Sequence, residues 1–208
     1  MVTIAKLTEA DRDRIAAAVA KAEAVTGVEL RLVLAHSSGH YGEFALIYPA
    51  LLTLIVGGIV AAIEPGLHAG RFFMGEAVLF LVAAGFLQWP TLRLILVPSS
   101  VKREAAWRHA RLHYASIGLK QPHIKSALLI FCSAAERTVE ILADDAIGEK
   151  LPTSVWQPIV ETFKADFARG RVADAFVFAS DACAAILSPL FPPEPGQVNE
   201  IPDDLVEL

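Results

Sequence analysis

Residues 44–63 carry no charged side chain, and a second apolar stretch begins at Phe72. The first run, Phe44–Ile63, is 20 residues long, which matches the roughly 20 residues a helix needs to cross a hydrocarbon core. The second runs from Phe72 to Pro98, interrupted only by Glu76 and Arg93, with an uncharged centre of 16 residues from Ala77 to Leu92. Glu64–Arg71 between them is a short polar turn. A soluble alternative would bury both stretches as a helical core, but two adjacent spans of this length rarely fit inside an α/β domain of 208 residues. The pattern therefore predicts a two-helix transmembrane hairpin inserted into a soluble domain. Composition agrees: the hydrophobic share is 54%, where soluble chains have about 45–50%, and the surplus sits between Phe44 and Pro98.

Basic residues orient the hairpin. The turn holds one Arg, whereas Val101–Tyr114 carries Lys102, Arg103, Arg108 and Arg111, and Lys21 and Arg31 precede the first span. Positive flanks stay on the cytoplasmic side, so both soluble parts are expected there, and the opening residues lack the apolar stretch of a secretory signal. Trp89 lies where an aromatic belt is expected.

The flanks read as an α/β domain. Thr8 with Glu9 and Asp11 forms a helix start, and Leu7, Ile15, Val19 and Ala22 recur at helical spacing up to Val25, with Gly27 as the stop. Val28–Ala35 alternates as a strand. After the hairpin, Ser99–Ile117 reads as a basic amphipathic helix closing at Gly118. Strands follow at Ser126–Cys132 and Thr138–Ala143, then helices at Thr153–Ala168 and Val172–Leu190. The expected segments are thus 1–43 and 99–190 for the α/β domain and 44–98 for the hairpin. Residues 191–208, opened by Pro192, Pro193 and Pro195, are expected to be an acidic disordered tail. That tail holds Glu194, Glu200, Asp203, Asp204 and Glu207 and no Lys or Arg; without it the remaining acids and bases balance, so the net charge of −5 is local. No basic face suits nucleic acid. Cys132 and Cys183 lie in apolar runs and are expected to be reduced, buried thiols.

Few residues offer chemistry. Asp144 and Asp145 follow a predicted strand, where α/β sheets gather ligands, and paired carboxylates suit a hard divalent cation such as Ca²⁺ or Mg²⁺. The simpler reading makes one of them the cap of a helix starting near Ala146. His109 and His113 are spaced i, i+4 but lack the Glu of a zinc-protease motif; His36 and His40 share the spacing across a loop, and His123 is expected to be exposed. Glu136 and Glu140 are expected on an outward polar face. Ser37, Ser38 and Ser133 lack a nucleophile elbow, and no phosphate-binding glycine loop is present. Glu76, Arg93, Lys102, Arg103, Arg108 and Arg111 remain as membrane-interface or partner-binding residues, with intramembrane Glu76 able to face a partner helix.

The order of segments resembles the TPM domain family. Leu7-Thr8 with Asp11, Thr26-Gly27-Val28-Glu29-Leu30, Ala134-Ala135-Glu136-Arg137, Val139-Glu140-Ile141-Leu142-Ala143-Asp144 and Phe167-Ala168-Arg169-Gly170 carry the likeness. The hairpin followed by Arg93–Pro98 and Val101-Lys102-Arg103 is similar to a bacterial membrane subgroup of that family. The resemblance implies a Rossmann-like α/β/α sandwich interrupted by the hairpin, in the bacterial inner membrane. It associates some members with acid phosphatase activity and divalent-cation binding, and it suggests a LemA-family membrane protein as partner. Relatives carry a carboxylate before the second strand where this chain reads His123-Ile-Lys-Ser126, a departure that counts against both the phosphatase and the usual cation site. The leading expectation is a membrane-anchored scaffold or accessory protein; the alternative is a divalent-metal-dependent phosphatase.

Overall fold

Helix α1 (Glu9–Val25) begins with a capping box: the Asp11 amide donates to Thr8 Oγ1 at 3.2 Å, and the Asp11 carboxylate accepts from the Thr8 amide at 3.1 Å. Such a cap is worth about 1 kcal/mol. The helix ends on Thr26 rather than Gly27, because the Thr26 hydroxyl donates back to the Ala22 carbonyl at 2.9 Å. Strand β1 (Glu29–Ala35) follows. The computed structural model describes residues 7–116, 126–193 and 201–208. The expected helix stop at Gly118, the His123 loop, and Glu194 and Glu200 lie outside them.

The chain divides into two units, residues 39–101, and residues 2–38 with 102–208. The second is a mixed sheet with helices on it. After α5 (Ser99–Ser116) come β2 (Ala127–Ser133) and β3 (Thr138–Ala143), then α6 (Asp145–Lys150), a 3₁₀ turn at Thr153–Trp156, α7 (Gln157–Ala168), α8 (Val172–Leu187) and β4 (Val206–Glu207). The strand order is β3-β2-β1-β4. β1 pairs in parallel with β2 (Leu30 opposite Leu128) and with β4 (Val33 opposite Val206), and β2 pairs antiparallel with β3 (Leu129 opposite Leu142). All seven residues of β2 are buried, as expected of a central strand covered on both faces.

Strand alternation sorts the core into two clusters. Leu30, Leu32, Leu34, Leu128, Ile130 and Cys132 pack with Ile15 and Val19 of α1, Phe163 of α7, and Phe176 and Cys183 of α8. Val33, Ala35, Leu129 and Phe131 point the other way and pack with Ala110 and Tyr114 of α5 and with Ile201. Both cysteines are free and buried; burial pushes Cys132 well above the ordinary thiol range and Cys183 up to about 12.

Residues 201–208 are not the disordered tail expected from their charge. Ile201 and Leu205 are buried, and Arg31 donates to the carbonyls of Pro202 and Asp204. The Leu208 amide donates to the Leu34 carbonyl at 2.9 Å, and the His36 amide donates to the Leu208 carbonyl at 2.7 Å. Two apolar anchors and the open edge of β1 outweigh the acidic composition, giving a strap across that edge.

The first unit holds the apolar segments. α2 is Phe44–Ile63, with the boundaries its composition predicts. The second stretch is not one continuous helix. It forms α3 (Ala69–Leu87) and a separate α4 (Pro90–Leu96), with Trp89 extended between them at φ −69° and ψ 118°. Pro90 is the reason: its ring disfavours helical geometry for the residue before it, and it opens the next helix at the first position. Within α2, Pro49 leaves one amide missing, and Thr53 Oγ1 donates to the carbonyls of Pro49 and Ala50.

Candidate functional site

The hairpin is the most distinctive surface of the molecule. α2 and α3 have 20 and 19 residues, so each spans about 30 Å at 1.5 Å per residue. Both are long and apolar enough to cross a membrane, yet only 17% of the apolar window in α2 and 6% of that in α3 is buried. A helix pair in the core of a soluble protein would hide these side chains; here Leu54 is 73% exposed and Phe73 69%.

Glu76 sits eight residues into α3, about two turns from its start, and is turned toward α2. A Cβ placed on Gly57 would lie 2.9 Å from its carboxyl carbon and from Oε1. Gly57 is therefore the notch that admits the carboxylate. Gly58, its neighbour, has nothing within 4 Å of the same position. Tyr48 ties α2 to α4 by donating its hydroxyl to the Leu96 carbonyl at 3.0 Å. Arg93 lies on α4, partly buried, beyond the Trp89–Pro90 break rather than on the second apolar helix.

At the carboxyl ends of the parallel strands β1 and β2, a polar cluster forms that alternation did not reveal. Glu136, expected on an outward face, is 8% exposed. Its carboxylate accepts from Ser37 Oγ at 2.9 Å, from the Ser38 amide at 3.1 Å and from Ser133 Oγ; Ser38 Oγ donates to Ser133 Oγ at 2.7 Å. Ser133 is fully buried. Three donors converging on one carboxylate make a clamp between the loop after β1 and the β2–β3 turn. That turn is closed by Arg137 in the left-handed region, φ 52°. Two of the three donors come from Ser37 and Ser38, nearly a hundred residues earlier, so no local signal could have found the cluster.

Asp144 and Asp145 part company. Asp144 is the N-cap of α6: Oδ1 accepts from the Ile147 amide at 2.8 Å, and Oδ2 accepts from the Ala127 amide, also at 2.8 Å. Asp145 is exposed in the first turn of α6. One carboxylate is thus turned onto backbone donors and the other lies in solvent, and among the described residues no group of three or more His, Cys, Asp or Glu is placed to hold a metal.

His109 and His113 lie on α5, partly buried over the sheet. The His109 ring is 5.3 Å from that of Phe131. Burial, with His109 and Arg31 nearby, lowers the pKa of His113. Burial, with Asp144 and Asp145 adding to it, pushes Tyr114 up to about 12. His36 and His40 are both exposed. Arg103, Arg108 and Arg111 are exposed along α5, and Lys102 is half-buried at its start. Glu140 is raised by burial, against the opposing pull of Lys164 and Arg103.

A mixed α/β unit with an apolar hairpin as a second unit is the class these features define. The sequence model of the family described as the TPM domain matches residues 91–186, so this stretch carries the signature of that domain. The fold is similar to the NMR structure of the BA42 protein from the psychrophilic bacterium Bizionia argentinensis, with a TM-score of 0.61 at 14% identity over 100% of this chain and 99% of that one. Among curated proteins nothing matches.

Proposed function

We propose that the chain is a membrane-anchored scaffold or accessory protein of the inner membrane, in which α2 and α3 cross the bilayer and the α/β unit serves as a cytoplasmic docking module for another membrane protein. A LemA-type membrane protein is the partner this reading favours. One observation carries the membrane part: two helices of spanning length leave most of their apolar side chains uncovered, and only hydrocarbon or another apolar helix satisfies such a surface. The assembly reading is favoured by polar groups engaged in holding the fold: Glu136 between two loops, and Asp144 on the backbone amides of Ala127 and Ile147. The phosphatase alternative has no comparable support in this geometry.

Reporter fusions test the topology. A reporter after Leu208 and one inserted at Gly66, in the exposed turn, fall on opposite sides of the membrane, with the Leu208 fusion cytoplasmic. A periplasmic signal from the Leu208 fusion would overturn the orientation. Affinity purification of the full chain from native membranes then reads the partner. Turnover of a phosphate ester by the detergent-purified chain with Mg²⁺ or Ca²⁺, lost on Asp144→Ala/Asp145→Ala, would replace the scaffold reading with the enzyme.

A further inference from the structure

We infer that the outer face of α5 is a binding surface for anionic phospholipid headgroups, an inference that rests on the membrane-anchored reading above. Ala106, Ala110 and Tyr114 of α5 are buried. The outer side presents Arg108 and Arg111 together with two apolar side chains, Trp107 at 39% and Leu112 at 65% exposure, while Arg103 shares the stripe of Ala106 and Ala110 and acts on Glu140. The Arg111 guanidinium lies 4.8 Å from the centre of the Trp107 ring. A planar fork of donors is the group best matched to a phosphate. The Arg108 partner, Glu104, stands 3.7 Å away with both side chains more than half exposed, an ion pair too loose to neutralise the face.

Chain continuity points to lipid as the occupant. The hairpin unit ends at Val101, and Trp107 follows six residues later, about 9 Å along a helix. A helix held that near a bilayer surface meets the potential of anionic headgroups, which attracts each nearby basic residue by about 1 kcal/mol. Trp at the headgroup level and Leu at the acyl boundary complete an interfacial set. The excess of arginine over acid on this face fits an anionic surface rather than a zwitterionic one.

The three tryptophans make the test direct, because Trp156 is buried inside the α/β unit and serves as a constant background. The full chain is reconstituted in nanodiscs of brominated phosphatidylcholine with or without phosphatidylglycerol. Trp89→Phe then reports on Trp107, and Trp107→Phe reports on Trp89 in the hairpin. The surface predicts that Trp107 emission is quenched and shifted to shorter wavelength when phosphatidylglycerol is present, and that high salt weakens the effect. Arg108→Gln/Arg111→Gln, exposed changes that leave the core alone, should reduce the preference for the anionic discs by roughly 25-fold. Quenched Trp89 with unquenched Trp107 would overturn the surface while leaving the membrane anchor standing. Quenching of Trp107 that is equal in zwitterionic discs and unaffected by the Arg variants would also overturn it. An unquenched Trp89 would remove the anchor itself. Loss of a co-purifying acidic protein in the Arg variants, without any lipid effect, would assign the face to that protein and end the lipid proposal.

Discussion

The carboxylate of Glu76 fills the space where Gly57 has no side chain, so an acid and a glycine on facing helices form one joint of the hairpin. An acid in an apolar helix is expensive to face toward lipid, and the missing Cβ lets it lie against the backbone of α2 instead. The geometry turns Glu76 toward its own hairpin rather than outward.

Gly57→Ala should therefore loosen the hairpin while Gly58→Ala does not. The carboxylate is the end of a flexible side chain and can swing aside, so the expected loss is modest, roughly 1–2 kcal/mol. Adding Glu76→Ala should recover most of it, since the same double change removes the clash. Thermal unfolding of the detergent-purified variants reads the difference. Equal effects of Gly57→Ala and Gly58→Ala would show that Glu76 and Gly57 do not interact.

Asp144→Ala should destabilise the α/β unit by about 1–3 kcal/mol, because it strips an acceptor from two backbone amides at once. Asp145→Ala, exposed in the first turn, should stay within about 0.5 kcal/mol. Denaturant unfolding of each single variant distinguishes them; similar losses from both would contradict the capping geometry.

Glu136→Ala leaves Ser37, the Ser38 amide and Ser133 without their shared acceptor; water reaches Ser37, which is exposed, but not the buried Ser133. The expected loss is about 1–3 kcal/mol. Faster hydrogen exchange should appear first in residues 36–38 and in the β2–β3 turn. If those amides exchange as in the parent chain, the clamp is not what holds the loop.

Glu23 on α1 gives the stability an unusual pH dependence. Burial pushes it up to about 8 from an ordinary 4.5; the Leu30 amide pulls it back, and Glu29 and Asp203 raise it further. A carboxyl that stays protonated in the folded state but ionises when unfolded favours the fold at low pH, and that advantage is lost as pH rises from 4.5 toward 8. His113, lowered by burial from 6.5, acts with the opposite sign on the acid side, so the Glu23 effect is cleanest between pH 6.5 and 8. Across that range the melting temperature should fall, and Glu23→Gln should flatten the fall. An unchanged slope in Glu23→Gln would assign the trend to another group.

Local patterns carried most of the fold. The limits of α2 followed from an uncharged run, β3 from alternation bounded by polar residues, and the capping box from Thr8 and Asp11. The break between α3 and α4 was also written locally, in Trp89-Pro90, but apolar continuity through to Pro98 outweighed it. What stayed hidden depends on distance in the chain. Val206 and Glu207 form a strand only because β1 offers an open edge. Two of the donors to buried Glu136, Ser37 and Ser38, lie on the other side of the hairpin in the chain. None of Val206, Glu207 and Glu136 differs in type from solvent-exposed counterparts elsewhere in the sequence.

Because Leu30 pairs with Leu128 across the whole hairpin, β1 leaves the ribosome long before its neighbour exists. It waits as an unpaired, largely apolar strand while both spans and α5 are synthesised, and its other edge is covered only by the last residues of the chain. Synthesis of both apolar helices thus precedes closure of the sheet in time. The α/β unit gains its central strand pair only in molecules whose apolar helices have already been made, and a chain stalled before Ala127 presents β1 as a bare edge for chaperones or aggregation.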